Sequence, residues 1–208
     1  MVAARIARAR HWVFDLDGTL TVAVHDFDAI RAELGLPVGR PILEALADLP
    51  PEEAAPLVAR LDAIELEIAR EARPADGASD LLSRLRSAGV DLGIATRNSR
   101  ENALETLRAA GLDGFFPREA ILGRDEAPPK PRPDAILRLL ASWRGASEAA
   151  VMVGDYLFDL EAGREAGAVT VYVDPSGLFP FAGLADLQVR SLADVAAVAR
   201  LDFADPLR

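Results

Sequence analysis

Short apolar runs recur along this chain, most ending on a polar or acidic residue, with helix-period segments between them. This alternation restricts the possible folds more than any other feature. Trp12-Val13-Phe14 and residues 90–95, 149–153 and 169–173 read as buried strands, and Ala120-Ile121-Leu122 is a shorter fifth run. Continuous apolar runs of this length belong to strands covered on both faces. Between them, residues 78–88 place Leu81, Leu85 and Ala88 on one helical face and stop at Gly89. Residues 99–110 start at a capping Asn98 or Ser99, and residues 134–143 repeat Ile136, Leu139, Leu140 and Trp143. Ser191 and Asp194 open a last helix as a capping box. The expectation is an α/β chain, a Rossmann-like three-layer parallel sheet core, in which ligands bind beyond the carboxyl ends of the strands.

One stretch departs from the alternation. Residues 21–74 carry no strand signal. Phe27, Ile30 and Leu34 share a face, as do Ile42, Leu46 and Leu49, and Leu57, Leu61, Ile64 and Ile68, with Pro37, Pro41, Pro50 and Pro51 separating them. A strand-to-strand crossover needs only a dozen residues or slightly more. The surplus predicts a small α-helical cap over residues 21–74, inserted into a core formed by 1–20 and 75–208.

Composition removes several classes of function. The 208 residues include 33 acidic and 23 basic ones, a net charge of −10, which opposes non-specific attraction to nucleic acid or anionic lipid. There is no cysteine and there are only two histidines, His11 and His25, so disulfide frameworks, thiolate metal sites and His-rich metal sites are excluded. The missing cysteine fits a reducing, cytoplasmic setting. No apolar run is long enough to span a bilayer, and residues 1–10 lack the apolar segment of a signal peptide. Of the basic residues, 22 are arginine, and the single lysine, Lys130, lies in a loop with four prolines in residues 128–133.

Chemistry-bearing residues fall where the strands end. Asp15 and Asp17 follow the first strand in Asp15-Leu16-Asp17-Gly18-Thr19 and, two apart, point to the same side. Two such carboxylates repel unless a cation or a shared proton intervenes. The glycine comes too early for an EF-hand calcium loop. Thr96 closes the second strand just before a helix N-terminus, a natural anion site, although for this segment taken alone capping of the helix by Asn98 or Ser99 is the plainer reading. Proline restricts both its own φ and its predecessor, so the 128–133 loop is stiff enough to hold one ammonium over a site. Asp155 and Asp159 follow the fourth run in Gly154-Asp155-Tyr156-Leu157-Phe158-Asp159, spaced for one helix face.

In this order, D-x-D-G-T, a strand-end threonine, K-P-x-P-D and G-D-x-x-x-D, the chain resembles the haloacid dehalogenase-like hydrolase superfamily over essentially its whole length. The helical insert resembles the cap of the phosphoglycolate phosphatase-like subfamily and is small for it. The resemblance implies an Mg²⁺-dependent phosphatase acting on a small phosphorylated metabolite. It implies that Asp15 is the nucleophile, forming an aspartyl phosphate, and that Asp17 is the general acid and then base, with a pKa well above that of a free carboxylate. Asp155 would be the main metal ligand, with Asp15 and the Asp17 carbonyl, and Asp159 would assist through water. Thr96 and Lys130 would hold phosphoryl oxygens, with backbone N–H groups near Gly18 and Arg97. An all-oxygen ligand set suits a hard cation.

Arg97 and Tyr156 stand where the family often has smaller residues, so Arg97 is expected at substrate or at a neighbouring acid. A phosphomutase keeps the same motifs and stays open as an alternative. A dehalogenase is disfavoured by the carboxylate at Asp17, and a non-catalytic binding module by the full set of motif acids. Substrate choice must come from the cap, where Arg40, His25 and Arg73 are the polar candidates. Oligomeric state is not legible.

Overall fold

The computed structural model describes residues 2–198. Its centre is a six-stranded sheet of β1 (His11–Phe14), β2 (Asp91–Ala95), β3 (Ile121–Leu122), β4 (Ala150–Gly154), β5 (Val169–Val173) and β6 (Leu187–Val189). The strand order is β3-β2-β1-β4-β5-β6 and every pairing is parallel. The chain moves outward from β1 through β2 to β3, then returns to the other side of β1 with β4. The order therefore reverses between β1 and β4, and their carboxyl ends flank the crevice where such sheets bind ligands.

Alternate side chains of the central strands feed two cores. Trp12 and Phe14 of β1 and Val151 and Val153 of β4 face one core, whose helical members include Leu81, Leu82 and Leu85 of α5 (Ala78–Ser87) and Leu107 of α6 (Arg100–Ala109). Leu192 and Val195 of α9 (Leu192–Val198) and Ile6 of the short α1 (Val2–Ile6) complete that side. Val13 and Met152 face the opposite core, built with Ile136, Leu139 and Leu140 of α7 (Asp134–Trp143) and Ala162 of α8 (Leu157–Glu165). Both sheet faces are thus covered, which is why the strands read as unbroken apolar runs.

Residues between β1 and α5 form α2 (Phe27–Glu33), α3 (Ile42–Ala47) and α4 (Pro51–Ala69). Their inward faces make a third core, of Ile30, Leu34, Leu36, Ile42, Ala45, Leu46 and Leu61. Asp26 caps α2 by accepting from the Ala29 N–H at 2.9 Å, and Pro51 occupies the first position of α4, where no donor is needed. The two connections to the sheet run side by side. The Val22 N–H donates to the Arg73 carbonyl at 3.0 Å, and the Ala75 N–H to the Leu20 carbonyl at 2.9 Å.

Some expectations needed adjustment. The helix after β4 starts at Leu157, so Asp155 sits in the turn before it and does not share a helix face with Asp159. The helix after β2 is capped, as expected, by one of the two candidates, Ser99, which accepts from the Asn102 N–H at 3.3 Å. The α1 helix and edge strand β6 had no counterpart in the sequence reading. Residues 199–208, assigned from sequence to the core, lie outside the described residues.

Candidate active site

The loop after β1 carries Asp15 and Asp17, and its course depends on Gly18. That residue has φ +89, and a β-carbon there would stand 2.4 Å from Oδ2 of Asp155. Only glycine lets the β1 and β4 loops approach this closely. Gly154 does the same at the end of β4, where a β-carbon would meet Cβ of Asp159 at 2.2 Å. Asp159, the third residue of α8, folds back to accept the Tyr156 N–H at 2.9 Å, which aims its other oxygen at the centre of the cluster.

Lys130 reaches the same point from the proline-rich loop after β3. Its side chain is 2% exposed, and Nζ lies 2.5 Å from Oδ1 of Asp15 and 2.6 Å from Oδ1 of Asp159. Burial alone would lower the lysine pKa, but Asp15 and Asp159 outweigh it and hold it above its ordinary value. Thr19 donates its hydroxyl to Oδ1 of Asp155 at 2.9 Å. Burial, reinforced by Asp15 and Asp159, pushes Asp155 well above the usual carboxylate range. Burial similarly brings Asp159 to about 6 despite the lysine beside it.

These shifts describe a concentration of negative charge that one ammonium does not neutralise. Ligand oxygens of Asp15, Asp155 and Asp159 lie within 4.8 Å of one another. A compact, all-oxygen, charge-strained set of this kind fits a hard divalent cation, and the residues present therefore match the metal that the sequence resemblance implies.

Asp17 faces the same cavity. Its Oδ2 accepts from Nδ2 of Asn98 at 2.7 Å, and Nδ1 of His25 lies 3.9 Å from Oδ1. Burial, with a further push from Glu65, raises Asp17 to about 7, against the opposing effects of Lys130 and Asn98. From sequence Asn98 is only a helix-cap candidate, and its place two residues after the strand-end threonine was the available signal for a role in the site. Thr96 is buried, and its Oγ1 accepts the Asn98 backbone N–H at 3.1 Å.

Gly18, Arg40 and Arg73 stand differently from expectation, while Arg97 takes one of its two expected partners. The Gly18 N–H donates to the Thr21 carbonyl at 2.9 Å, so Gly18 contributes space to the site and its amide is not an open anion donor. The guanidinium of Arg97 is engaged by Oε2 of Glu44 in α3 at 2.6 Å and by the Lys130 carbonyl, and it lies 4.6 Å from the Phe158 ring centroid. Arg97 thus meets a neighbouring acid. Arg40 pairs with Asp48 and does not line the cavity, and Arg73 is exposed outside it. His25 does line it, stacked on Phe27 with ring centroids 5.5 Å apart.

The cavity has a volume of about 340 Å³ and lies between the strand ends and the helical insert, whose Arg31, Ile42, Leu43, Leu61 and Glu65 form its far wall. A partly buried network fastens that wall to the sheet side. Arg124, after β3, binds Asp62 at 2.5 Å and Glu65 at 2.9 Å, while Nδ2 of Asn102 donates to Glu65 at 3.1 Å.

The family model for haloacid dehalogenase-like hydrolase matches residues 28–173, a span that contains Thr96, Lys130, Asp155 and Asp159. The chain belongs to the haloacid dehalogenase-like hydrolase family. A haloacid dehalogenase-like hydrolase domain-containing protein of Arabidopsis thaliana is 31% identical, over 94% of this chain and 86% of its own length. The phosphoglycolate phosphatase of Caulobacter vibrioides is 34% identical, over 77% of each chain. A structure of a haloacid dehalogenase-like family hydrolase from Deinococcus radiodurans, with bound phosphate and sodium, superposes with a TM-score of 0.66 at 26% identity, covering 94% of this chain and 97% of the other. The parallel sheet flanked by helices is the architecture of this family.

Proposed function

We propose that this hydrolase is a divalent-metal-dependent phosphatase that cleaves a small phosphomonoester through an aspartyl-phosphate intermediate. The observation that carries the reading is the meeting of Asp15, Asp17, Lys130, Asp155 and Asp159 in one cavity at the sheet's switch point. The naming of the Caulobacter relative as a phosphoglycolate phosphatase and the phosphate in the Deinococcus structure support the same chemistry.

In this reading an oxygen of Asp15 attacks phosphorus as the bond to the leaving oxygen breaks. Asp17 gives its proton to that leaving oxygen and the alcohol departs. Asp17, now a carboxylate, takes a proton from a water molecule that attacks the phosphoryl group. Inorganic phosphate leaves and Asp15 is regenerated. A carboxyl near 7 suits both halves of this exchange, since it is protonated often enough to donate and ionised often enough to accept. Asn98 fixes one oxygen of Asp17 and leaves the other for the proton transfer.

Lys130 fixes one oxygen of Asp15 and places a positive charge beside the transferring group, with the Thr96 hydroxyl at the same wall. Mg²⁺ would be held by Asp15, Asp155 and the Asp17 carbonyl, with Asp159 assisting through water, and when bound supplies charge neutralisation for the phosphoryl oxygens. Residues 21–74 act as the cap that closes the cavity over a small phosphorylated metabolite.

A panel of phosphomonoesters assayed for inorganic phosphate release with saturating Mg²⁺ tests the reading. Release from at least one small ester, abolished by chelator, is the expected result. Isomerisation without phosphate release would identify a phosphomutase instead, and no turnover of any ester would overturn the proposal.

A further inference from the structure

The proposed chemistry leaves the Arg97 guanidinium without a role, although it stands directly after the strand-end Thr96 and lines the cavity. That guanidinium joins three elements far apart in the chain. Nη2 donates to Oε2 of Glu44, on α3 of the helical insert, at 2.6 Å. Nη1 donates to the backbone carbonyl of Lys130, in the loop after β3. Cζ lies over the Phe158 ring of α8, 4.6 Å from its centroid.

The carbonyl is the informative partner. The Lys130 ammonium stands between Asp15 and Asp159, at 2.5 Å and 2.6 Å, and its flexible stem reaches that point only from a correctly placed backbone. A planar fork that gives one arm to an acid and the other to a carbonyl holds the two in a fixed relation, which a point charge does not. The backbone of Arg97 is itself fixed. Arg124 donates through Nη1 to the Arg97 carbonyl at 3.0 Å, while its Nη2 holds Asp62 and Glu65 of α4. Both ties of Arg97 therefore lead into the insert, through Glu44 on α3 and through Arg124 to α4. Glu44 lies outside the cavity lining, so any effect it has on turnover passes through a neighbour.

We infer that Arg97 is a positioning residue for Lys130: it fixes the lysine's backbone carbonyl, and Glu44 of the insert fixes Arg97 in turn. This rests on the phosphatase reading above. The rival is an Arg97 that touches substrate, and the two differ in sign. Removing Glu44 releases a substrate-contacting arginine to bind better, whereas it loosens a positioning one.

Lys130 is the single lysine of the chain, so protein grown on carbonyl-labelled lysine gives one lysine carbonyl resonance, from the very atom that accepts from Arg97. Arg97→Met should shift that resonance and lower kcat for para-nitrophenyl phosphate by about tenfold, the range of one charged hydrogen bond. KM should stay within about twofold. Glu44→Ala should move the resonance in the same direction and lower kcat by about threefold, as suits a partly exposed pair. The double variant should be no slower than Arg97→Met alone, because Glu44 acts through Arg97. Arg97→Lys keeps the charge but not the fork, and should fall between wild type and Arg97→Met.

An unmoved resonance in Arg97→Met, a Glu44→Ala rate equal to or above wild type, a change confined to KM, or additive losses in the double variant each overturn the inference. A merely structural Arg97 would lower the denaturation midpoint and leave both the resonance and kcat per folded molecule in place, which also overturns it. If Arg97→Met does not fold, Glu44→Ala and Arg97→Lys carry the same comparison. Wild type that releases phosphate from no ester refutes the phosphatase reading, whereas turnover that neither variant alters refutes Arg97 alone.

Discussion

Replacing Lys130 by methionine keeps most of the side-chain volume and removes the ammonium from a site in which it is 2% exposed. Two acids then lose their partner. Asp15 and Asp159 have side chains 12% and 3% exposed, and each now accepts a charged hydrogen bond from Nζ. Breaking a buried pair by deleting one member costs about 3–5 kcal/mol, because an uncompensated charge stays behind. For a domain of this size, about 2–4 °C of Tm accompanies each kcal/mol, so the loss should be about 6–20 °C.

The loss should also depend on pH. Burial holds Asp159 at about 6, above its unfolded-state value, so ionising it costs the native state stability. That cost is full above the folded pKa and fades as the pH falls toward the unfolded-state value. Without Lys130 the folded pKa rises further, and Asp159 is already neutral at pH 5. Urea denaturation of wild type and Lys130→Met, in chelator at pH 7.5 and at pH 5, measures both effects. The expected result is a large deficit at pH 7.5 that shrinks on acidification. A deficit below about 1 kcal/mol at pH 7.5, or one that grows as pH falls, would refute the electrostatic account.

Asp15→Asn should lower phosphate release by about a thousandfold or more with an unchanged circular-dichroism spectrum, and a near-normal rate would exclude the covalent route. Gly18→Ala would force a β-carbon to 2.4 Å from Asp155 at φ +89, so about 1–3 kcal/mol of stability and much of the metal affinity should be lost together in calorimetry. Mg²⁺ at about a hundred times its Kd should stabilise the wild type by about 2.7 kcal/mol in denaturation experiments, and Asp155→Asn should remove most of that gain.

The parts of the fold that could be read in advance were those coded by neighbours in sequence. The strand at Trp12-Val13-Phe14 and the helix over Asp134–Trp143 are each specified by a local period, and the structure places them within a residue of expectation. Edge strand β6 was missed because Leu187-Gln188-Val189 is paired on one side only and presents no apolar run. Likewise, the strand-end acids and Lys130 were legible because each sits at a fixed offset from its own strand. Asn98, Glu65 and Arg124 were not, because what each does depends on a partner brought in by folding. Arg124 and Glu65 are 59 residues apart in the chain, and Asn98 and Asp17 are 81 apart. Arg40 shows the converse error. Its polarity and its place in the insert made it a substrate candidate, but Asp48 at the end of α3 holds its guanidinium.

The two segments that tie the helical insert to the sheet are hydrogen-bonded to each other, Val22 to Arg73 and Ala75 to Leu20. The chain therefore departs and returns through one narrow gate. Everything between Val22 and Arg73 behaves as a cassette whose ends already touch, while the strand-end acids lie outside it. A foreign insert of the same end spacing would leave the strand-end acids in place but remove Glu65 and His25, which face Asp17, so the proton affinity of Asp17 would change with the insert.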